Sequence, residues 1–355
     1  MEKIKTMETR IIAGNIKISR LGVGCWAFGG GEYWGGQSQK DVEAVVHTAM
    51  DNGVNFFDTA RMYNNGESEK SLGLALKNRR PEAVICSKVS PANAYYNALK
   101  KECEASLTNL RTDYIDMYMM HWPINQYGLK HFTDDPGILS NPPEPEEAFR
   151  ALADLKKEGK IKAIGVSNYG AAQMREAIEL CPDLAANEIA YNIISRAIEA
   201  EIMPCCKQNN IAVITSMSLM QGVLAGRYAA IEDIPAYQAR SRHFKNERGQ
   251  GLSRHFEDGA EAETAAVLDA LREIAAELNI SVAQLSVAWV FANGQVDCAL
   301  LGSRSESELL ENIRAAVIVL PEWAVEKINL ISLPVLNKLG NNADYYENDK
   351  NSRIY

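Results

Sequence analysis

Short apolar, β-rich runs alternate along this chain with stretches whose apolar residues recur at helical spacing, the signature of repeated βα units around a parallel sheet. Eight runs predict strands: LGVG from Leu21, VNFF from Val54, AVIC from Ala83, YIDMYMM from Tyr114, IKAIGV from Ile161, NEIAY from Asn187, IAVIT from Ile211 and VDCALL from Val296. The helices between them are as legible. DVEAVVHTAMDNG is apolar on one face and stops at Asn52-Gly53, where a left-handed cap is cheap; EEAFRALADLKKEG ends in the same way at Gly159. Eight strands in this alternation predict an α/β fold of the (β/α)8 TIM-barrel type, organised as one domain over residues 1–355.

Three segments leave the alternation. Residues 125–145 are rich in Pro, Gly and Asp, and a loop of that length inside a compact barrel is more often functional than accidental. Residues 227–258 are irregular and carry a local basic cluster of Arg240, Arg242, His243, Lys245, Arg248, Arg254 and His255. Residues 337–355 form a polar tail, whose Asn341, Asn342, Asp344, Tyr345, Tyr346 and Arg353 hint at a polyhydroxylated ligand such as a sugar or inositol.

Composition narrows the function. With 355 residues, 46% hydrophobic and 23% charged, the chain can fill one large core. A net charge of -9 and a pI near 5.3 argue against nucleic acid, which calls for a clustered positive surface, so a small-molecule partner is expected. The start, MEKIKTMETR, is charged and lacks a signal-peptide core, and no stretch approaches the roughly 18 apolar residues of a membrane span. A cytoplasmic protein with no membrane contact is expected. The seven cysteines are scattered without zinc-site spacing, so no metal is expected.

Polar residues stand at or just past the ends of these strands, where a barrel of this kind puts its chemistry: Asp58, Tyr63, Lys88, His121 and the pair Ser167-Asn168. Reducing a carbonyl by hydride needs a donor that protonates the oxygen as charge develops, and a phenol with pKa of about 10 is a reluctant acid. Lys88 beside Tyr63 would lower that value, Asp58 would keep the lysine charged, and a neutral His121 would give the oxygen a second hydrogen bond. Singly, each has a structural explanation: helix cap, loop aromatic, solvated charge or core histidine. Lys88 and His121 directly after apolar strands face the mouth of the barrel, which a purely structural role does not explain.

In order and setting, the islands GVNFFDTARMYNNGESEKSLG, VICSKV, YIDMYMMHWP and KIKAIGVSNY resemble the aldo-keto reductase family over nearly the whole chain. The resemblance implies that Asp58, Tyr63, Lys88 and His121 are the catalytic tetrad. It further implies an oxidoreductase that reversibly transfers hydride between NADP(H) and an aldehyde or ketone, a sugar or polyol being one candidate. In such enzymes the irregular loops wall the substrate pocket and the tail folds over the barrel mouth. Two alternatives come with it: a cofactor-sensing binding module of the same fold, and a redox-neutral enzyme that retains its cofactor.

The chain has no G-x-G-x-x-G after its first strand, which weighs against a Rossmann domain. By resemblance, Ser167 and Asn168 would hold the nicotinamide carboxamide, although either could instead cap the following helix. SLMQGVLAGR would cover the pyrophosphate through Leu219, Gln221 and Gly222. In LLGSRSESELLEN, Ser303 and Arg304 would meet a 2'-phosphate, and Glu311 and Asn312 the adenine. Glu308 would oppose that phosphate and leaves NAD open. Two departures from the family concern the nicotinamide: Glu188 stands in place of a Gln, able to accept but not to donate, and Ser216 in place of a stacking aromatic, so that either another ring such as Trp26 or Tyr191 compensates or the cofactor is handled differently from ordinary reductases. Trp26, Trp34 and Trp122 near strand ends could line a pocket or simply pack.

Overall fold

All eight predicted strands form, and they close on themselves. The computed structural model describes residues 7–31 and 33–355; the first six residues of the charged start lie outside them. Ten strands occur among these residues: β1 (Thr9–Ile12), β2 (Ile16–Ser19), β3 (Leu21–Gly24), β4 (Phe56–Asp58), β5 (Val84–Val89), β6 (Ile115–Met120), β7 (Ile161–Ser167), β8 (Ala186–Ala190), β9 (Ala212–Ser216) and β10 (Cys298–Gly302). Strands β3 to β10 pair in parallel, and β10 returns to β3 to complete the barrel. Helices lie between successive strands, and every residue of β5 and β6 is buried, as strands covered on both faces require.

Side chains along a strand alternate between the two faces, and that period decides which residues look inward. Phe56, Cys86, Met117, Met119, Ala186, Ile214, Cys298 and Leu300 fill the barrel interior, while Phe57, Ile85 and Tyr118 pack outward against the helices. Counting on by two from interior residues gives Asp58, Lys88, His121, Glu188 and Ser216, so parity alone aims five polar side chains up the axis toward the mouth. Gly22 also faces the axis; a Cβ there would lie 2.7 Å from Leu300 and 2.8 Å from Phe56, so the interior is filled at that level.

One element lies outside the predicted set. The antiparallel pair β1–β2 turns at Ala13 and Gly14, both left-handed, and contributes Ile12, Ile16 and Ile18 to the barrel's interior cluster. Its strands are four residues long, with apolar and polar positions alternating only in Ile16–Ser19, too short a pattern to stand out beside the barrel strands. Residues 125–145, expected as loop, hold two short helices, Gln126–Phe132 and Pro136–Ser140. Asn125 caps the first by accepting from Tyr127 and Gly128, and Asp135 followed by Pro136 starts the second, so the Asn, Asp and Pro that suggested a loop are helix-start signals.

Residues 227–258 are irregular as expected, but the basic cluster is mostly tied down. Arg242 pairs with Glu257, Arg248 with Glu261 and backbone carbonyls, and Arg254 with Glu347. The helix Glu322–Leu339 takes up the first three residues of the tail expected over 337–355, and the rest, residues 340–355, packs over the barrel mouth. Its polar groups largely satisfy one another. Arg353 forms a two-pronged pair with Asp344 (2.6 and 2.7 Å) and lies 4.0 Å over the Trp122 ring, while Asn342 accepts from Ser352. No single helix among the described residues is long and apolar enough to cross a membrane.

Candidate active site

Asp58 ends β4, and the chain then bends so that Tyr63 opens a tight turn, residues 63–66. Asn64 and Asn65 hold left-handed backbone there, and Asn64 donates to the carbonyls of Trp26 and Phe28 at 2.9 Å, which fastens Tyr63's turn to the loop after β3. Such backbone persists only where surrounding contacts over-determine it. His121 follows β6, its N–H bound to Val89 O at 2.9 Å. Neighbouring strands thus bring Asp58, Tyr63, Lys88 and His121 to one end of the barrel.

The ammonium of Lys88 is fully buried, donates to Asp58 and to the Thr59 carbonyl (3.1 Å), and stands 3.5 Å from the Tyr63 hydroxyl. A second carboxylate reaches it as well: Glu188 Oε2 lies 3.2 Å away. The hydrogen bonds of the ammonium go to Asp58, Thr59 O and Tyr63, and Glu188 Oε2 faces it as an ion-pair partner without a hydrogen bond of its own. Asp58, Cys86 and Glu188 bring their ligand-type atoms within 4.8 Å of one another, but Lys88 already stands as the cation among them.

Electrostatics follow from burial. Desolvation opposes the charge on Lys88, yet Asp58 and Glu188 outweigh it and hold the ammonium well above its ordinary pKa. Burial also raises Tyr63; Lys88 pulls it down, but Asp58 and Glu188 push it up again. The net result corrects the expectation of a lowered phenol: Lys88 acts in the expected direction, and its two counter-ions blunt it. Tyr63 is therefore held as a protonated donor. His121 is driven well below its ordinary pKa, by burial first and then by Lys88, so the ring is neutral as expected; its Nδ1 has no partner. Glu188 is pushed up to about 8, by burial and then by the Asp58 charge.

Above this cluster opens a cavity of about 450 Å³, walled by Trp26, Tyr63, His121, Trp122, Asn168 and Ser216, with Gln221 at one side and Arg353 from the tail. The Tyr63 and His121 rings meet edge-on at 5.5 Å. Trp26 stacks on Tyr33 at 5.3 Å, Tyr33 lies 4.1 Å from Tyr237, and Trp34 meets Trp26 edge-on. Tyr33, Tyr237, His131 and Phe132 had no signal in the sequence beyond their loop positions. Tyr191 is no candidate for the missing nicotinamide ring: it is buried against Trp289, and its hydroxyl binds Glu199.

Ser167 and Asn168 do not cap the helix Ala171–Leu180, since Gln173 accepts from the N–H of Gly170 there. Asn168, left-handed at φ 62°, instead donates to Ser167 Oγ and to His121 O, so it braces the mouth beside Glu188, which pairs with Ser167 across the ladder. After β9, left-handed residues recur at Met217, Met220, Gln221 and Gly222, and Leu219, with ordinary negative φ, lies between the first two. Across the barrel seam, Ser305 caps the helix Glu306–Ala316, which leaves Ser303 free to accept from Asn312. Arg304 donates from Nη2 to Gly36 O at 2.7 Å, while its buried Nε has no partner. Glu308 accepts from the Arg304 backbone N–H at 2.8 Å, and Glu311 pairs with Arg314.

These residues trace a path from the cavity, past the strained loop after β9, to an arginine with a spare donor. Unpaired donors and polar atoms at Arg304, His121 and Glu188 along that path fit a long polar cofactor ending near Tyr63. The aldo/keto reductase family profile matches residues 20–332. The aldo-keto reductase YhdN of Bacillus subtilis is 30% identical over 85% of this chain and 86% of its own length. The NADH-specific methylglyoxal reductase of Escherichia coli is 30% identical over 87% of this chain and 93% of its own. Among solved structures, the aldo/keto reductase of Klebsiella pneumoniae in complex with NADP and acetate superposes with a TM-score of 0.68 at 26% identity, covering 92% of this chain and 95% of that one.

Proposed function

The chain belongs to the aldo/keto reductase family, enzymes of NAD(P)H-dependent carbonyl reduction, and we propose that it reduces a small aldehyde or ketone in the cavity above Tyr63. The observation that carries this reading is the placement of the Tyr63 hydroxyl and the His121 ring on one cavity wall, with Lys88 3.5 Å behind the phenol. The reduced nicotinamide supplies the hydride. The Tyr63 O–H passes its proton to the carbonyl oxygen as negative charge appears there, and the Lys88 ammonium stabilises the phenolate left behind. Asp58 keeps that ammonium charged and in place. Neutral His121 gives the same oxygen a second hydrogen bond and orients the substrate.

Ser167, Asn168 and Glu188 are assigned to the carboxamide, with Trp26 and Ser216 beside the nicotinamide. Leu219, Gln221 and Gly222 take the pyrophosphate; Ser303, Arg304, Glu308, Glu311 and Asn312 take the adenosine end. The chain works as one unit, its tail forming part of the pocket. A sugar or polyol carbonyl suits walls lined by the rings of Trp26, Trp122 and Phe132 together with the polar side chains of Tyr237, Arg240 and Arg353. A complete tetrad favours turnover over a sensing role. Purified protein should oxidise NADPH in the presence of methylglyoxal or an aldose, followed by absorbance; cofactor binding with no turnover on any carbonyl or alcohol would favour the sensor.

NADP is the proposed cofactor and Arg304 the reason, because a guanidinium grips a phosphate through parallel hydrogen bonds and has little to hold on a bare ribose. Glu308 opposes it, although its carboxylate is engaged by the Arg304 backbone N–H. Arg304→Ala should weaken NADP(H) about 10- to 100-fold, the 1.5–3 kcal/mol of a charged hydrogen-bond contact, and leave NAD(H) almost unchanged. Equal loss for both cofactors in a fluorescence titration would move the assignment to NAD.

A further inference from the structure

Two carboxylates share one ammonium at the floor of this site. Asp58, Lys88 and Glu188 are each nearly or fully buried, with side-chain exposures of 5%, 0% and 6%. The groups facing Glu188 from the surrounding strands and turn are Asp58 on β4, Cys86 and Lys88 on β5, Tyr63 after β4 and Cys298 on β10; only Lys88 is cationic. With both carboxylates ionised the cluster would hold an uncompensated buried negative charge, which a low-dielectric interior resists by binding a proton. Asp58 takes the lysine's hydrogen bond, whereas Glu188 Oε2 takes none, so Glu188 is the member that keeps the proton.

We propose that Glu188 carries a proton in the resting site, which makes it a hydrogen-bond donor to the nicotinamide carboxamide, and that its ionisation ties the protein's preference between oxidised and reduced cofactor to pH. The inference rests on the reading that a nicotinamide lies beside Ser167 and Asn168. A protonated carboxyl offers one donor and one acceptor, as a primary amide does, so the acid at this position loses nothing of that pairing below its pKa. Once ionised, it can no longer donate, and it places a negative charge beside the ring. Oxidised nicotinamide is a cation and reduced nicotinamide is neutral, so the ionised form favours the oxidised cofactor.

The sign follows from linkage. Binding the oxidised cofactor lowers the Glu188 pKa and releases a proton, so that affinity rises with pH up to the free-protein pKa of about 8. Binding the reduced cofactor engages the proton and raises the pKa, so that affinity falls above that value. The 2'-phosphate is common to both forms and cancels in their ratio.

The test is the ratio of Kd(NADPH) to Kd(NADP+), measured by titration calorimetry from about pH 6 to about pH 9 on the wild-type chain and on Glu188→Gln, with infrared spectra of the unliganded protein alongside. The ratio in the wild type should rise roughly tenfold or more, the equivalent of one pKa unit. In Glu188→Gln it should be flat, with both cofactors still bound. The infrared band of a buried protonated carboxylic acid should be present at neutral pH, fade by about pH 9 and be missing from the variant. A flat wild-type ratio, an equal slope in the variant, or no carboxylic acid band at neutral pH would overturn the inference and leave the reductase reading standing. Failure to bind either cofactor would remove both.

Discussion

Tyr63→Phe should lower turnover by about 10²-fold or more while both cofactor forms still bind, because the substitution removes one oxygen and leaves the ring in place. The ring has structural partners, meeting His121 edge-on at 5.5 Å and Trp26 at 6.0 Å, so the cavity wall survives the change. What disappears is the proton that must reach the carbonyl oxygen. Within the tetrad no other group is placed to supply it: His121 is held neutral by burial and by Lys88, and the Lys88 ammonium is enclosed by Asp58, Thr59 and Tyr63. Because burial raises Tyr63 rather than lowering it, the phenol stays protonated through the neutral range, and carbonyl reduction should not be lost to its deprotonation there. Steady-state rates with any accepted aldehyde, beside a cofactor titration, check this. Turnover within a few-fold of wild type would remove Tyr63 from the acid role.

Lys88→Met should be the most damaging single change, in both activity and stability. Its ammonium is the cation that faces Asp58 and Glu188, and deleting one partner from a buried charge cluster costs about 3–5 kcal/mol. Stability should also acquire a pH dependence whose direction is fixed. Without the ammonium the buried cluster has no cation to balance a carboxylate, and Glu188, already raised by burial and the Asp58 charge, loses the one group that lowers it, so the folded chain keeps protons that the unfolded chain releases. The deficit should therefore be smallest near pH 4 to 5 and grow toward pH 8, roughly tracking ionisation of carboxyls in the unfolded chain. Urea unfolding of variant and wild type at about pH 5 and about pH 8 reads it out. Turnover should fall at least about 10²-fold, since the phenolate formed at Tyr63 would lose its counter-ion. A pH-independent deficit, or retained turnover, would show that the lysine does not carry the cluster's charge.

The sequence by itself determined the barrel and the four residues at its mouth. Strand apolarity and helix periodicity are local properties, readable over a handful of residues, and the eight runs from Leu21 to Val296 each became a barrel strand. The strand period then carries a polar residue two steps past an interior one to the same axis, which is why the positions of Asp58, Lys88 and His121, together with the family resemblance, singled them out. The same locality explains the misses. The hairpin β1–β2 is too short to show a period, and the cap residues Asn125 and Asp135 read equally well as loop signals until a helix is seen to follow them.

Tertiary structure decided whatever depends on distances between groups remote in the chain. Glu188 was legible as an unusual residue, but its burial and its closeness to Lys88 (3.2 Å) and Asp58 arise from barrel closure; burial and then the Asp58 charge raise its pKa against the pull of Lys88, and burial first of all raises that of Tyr63. The contact of Tyr33 with Tyr237, the packing of Tyr191 on Trp289, and the Asp344–Arg353 pair seated on Trp122 likewise join segments that no local pattern connects. A pKa is a sum over neighbours in space, and a chain read in order shows only neighbours in sequence.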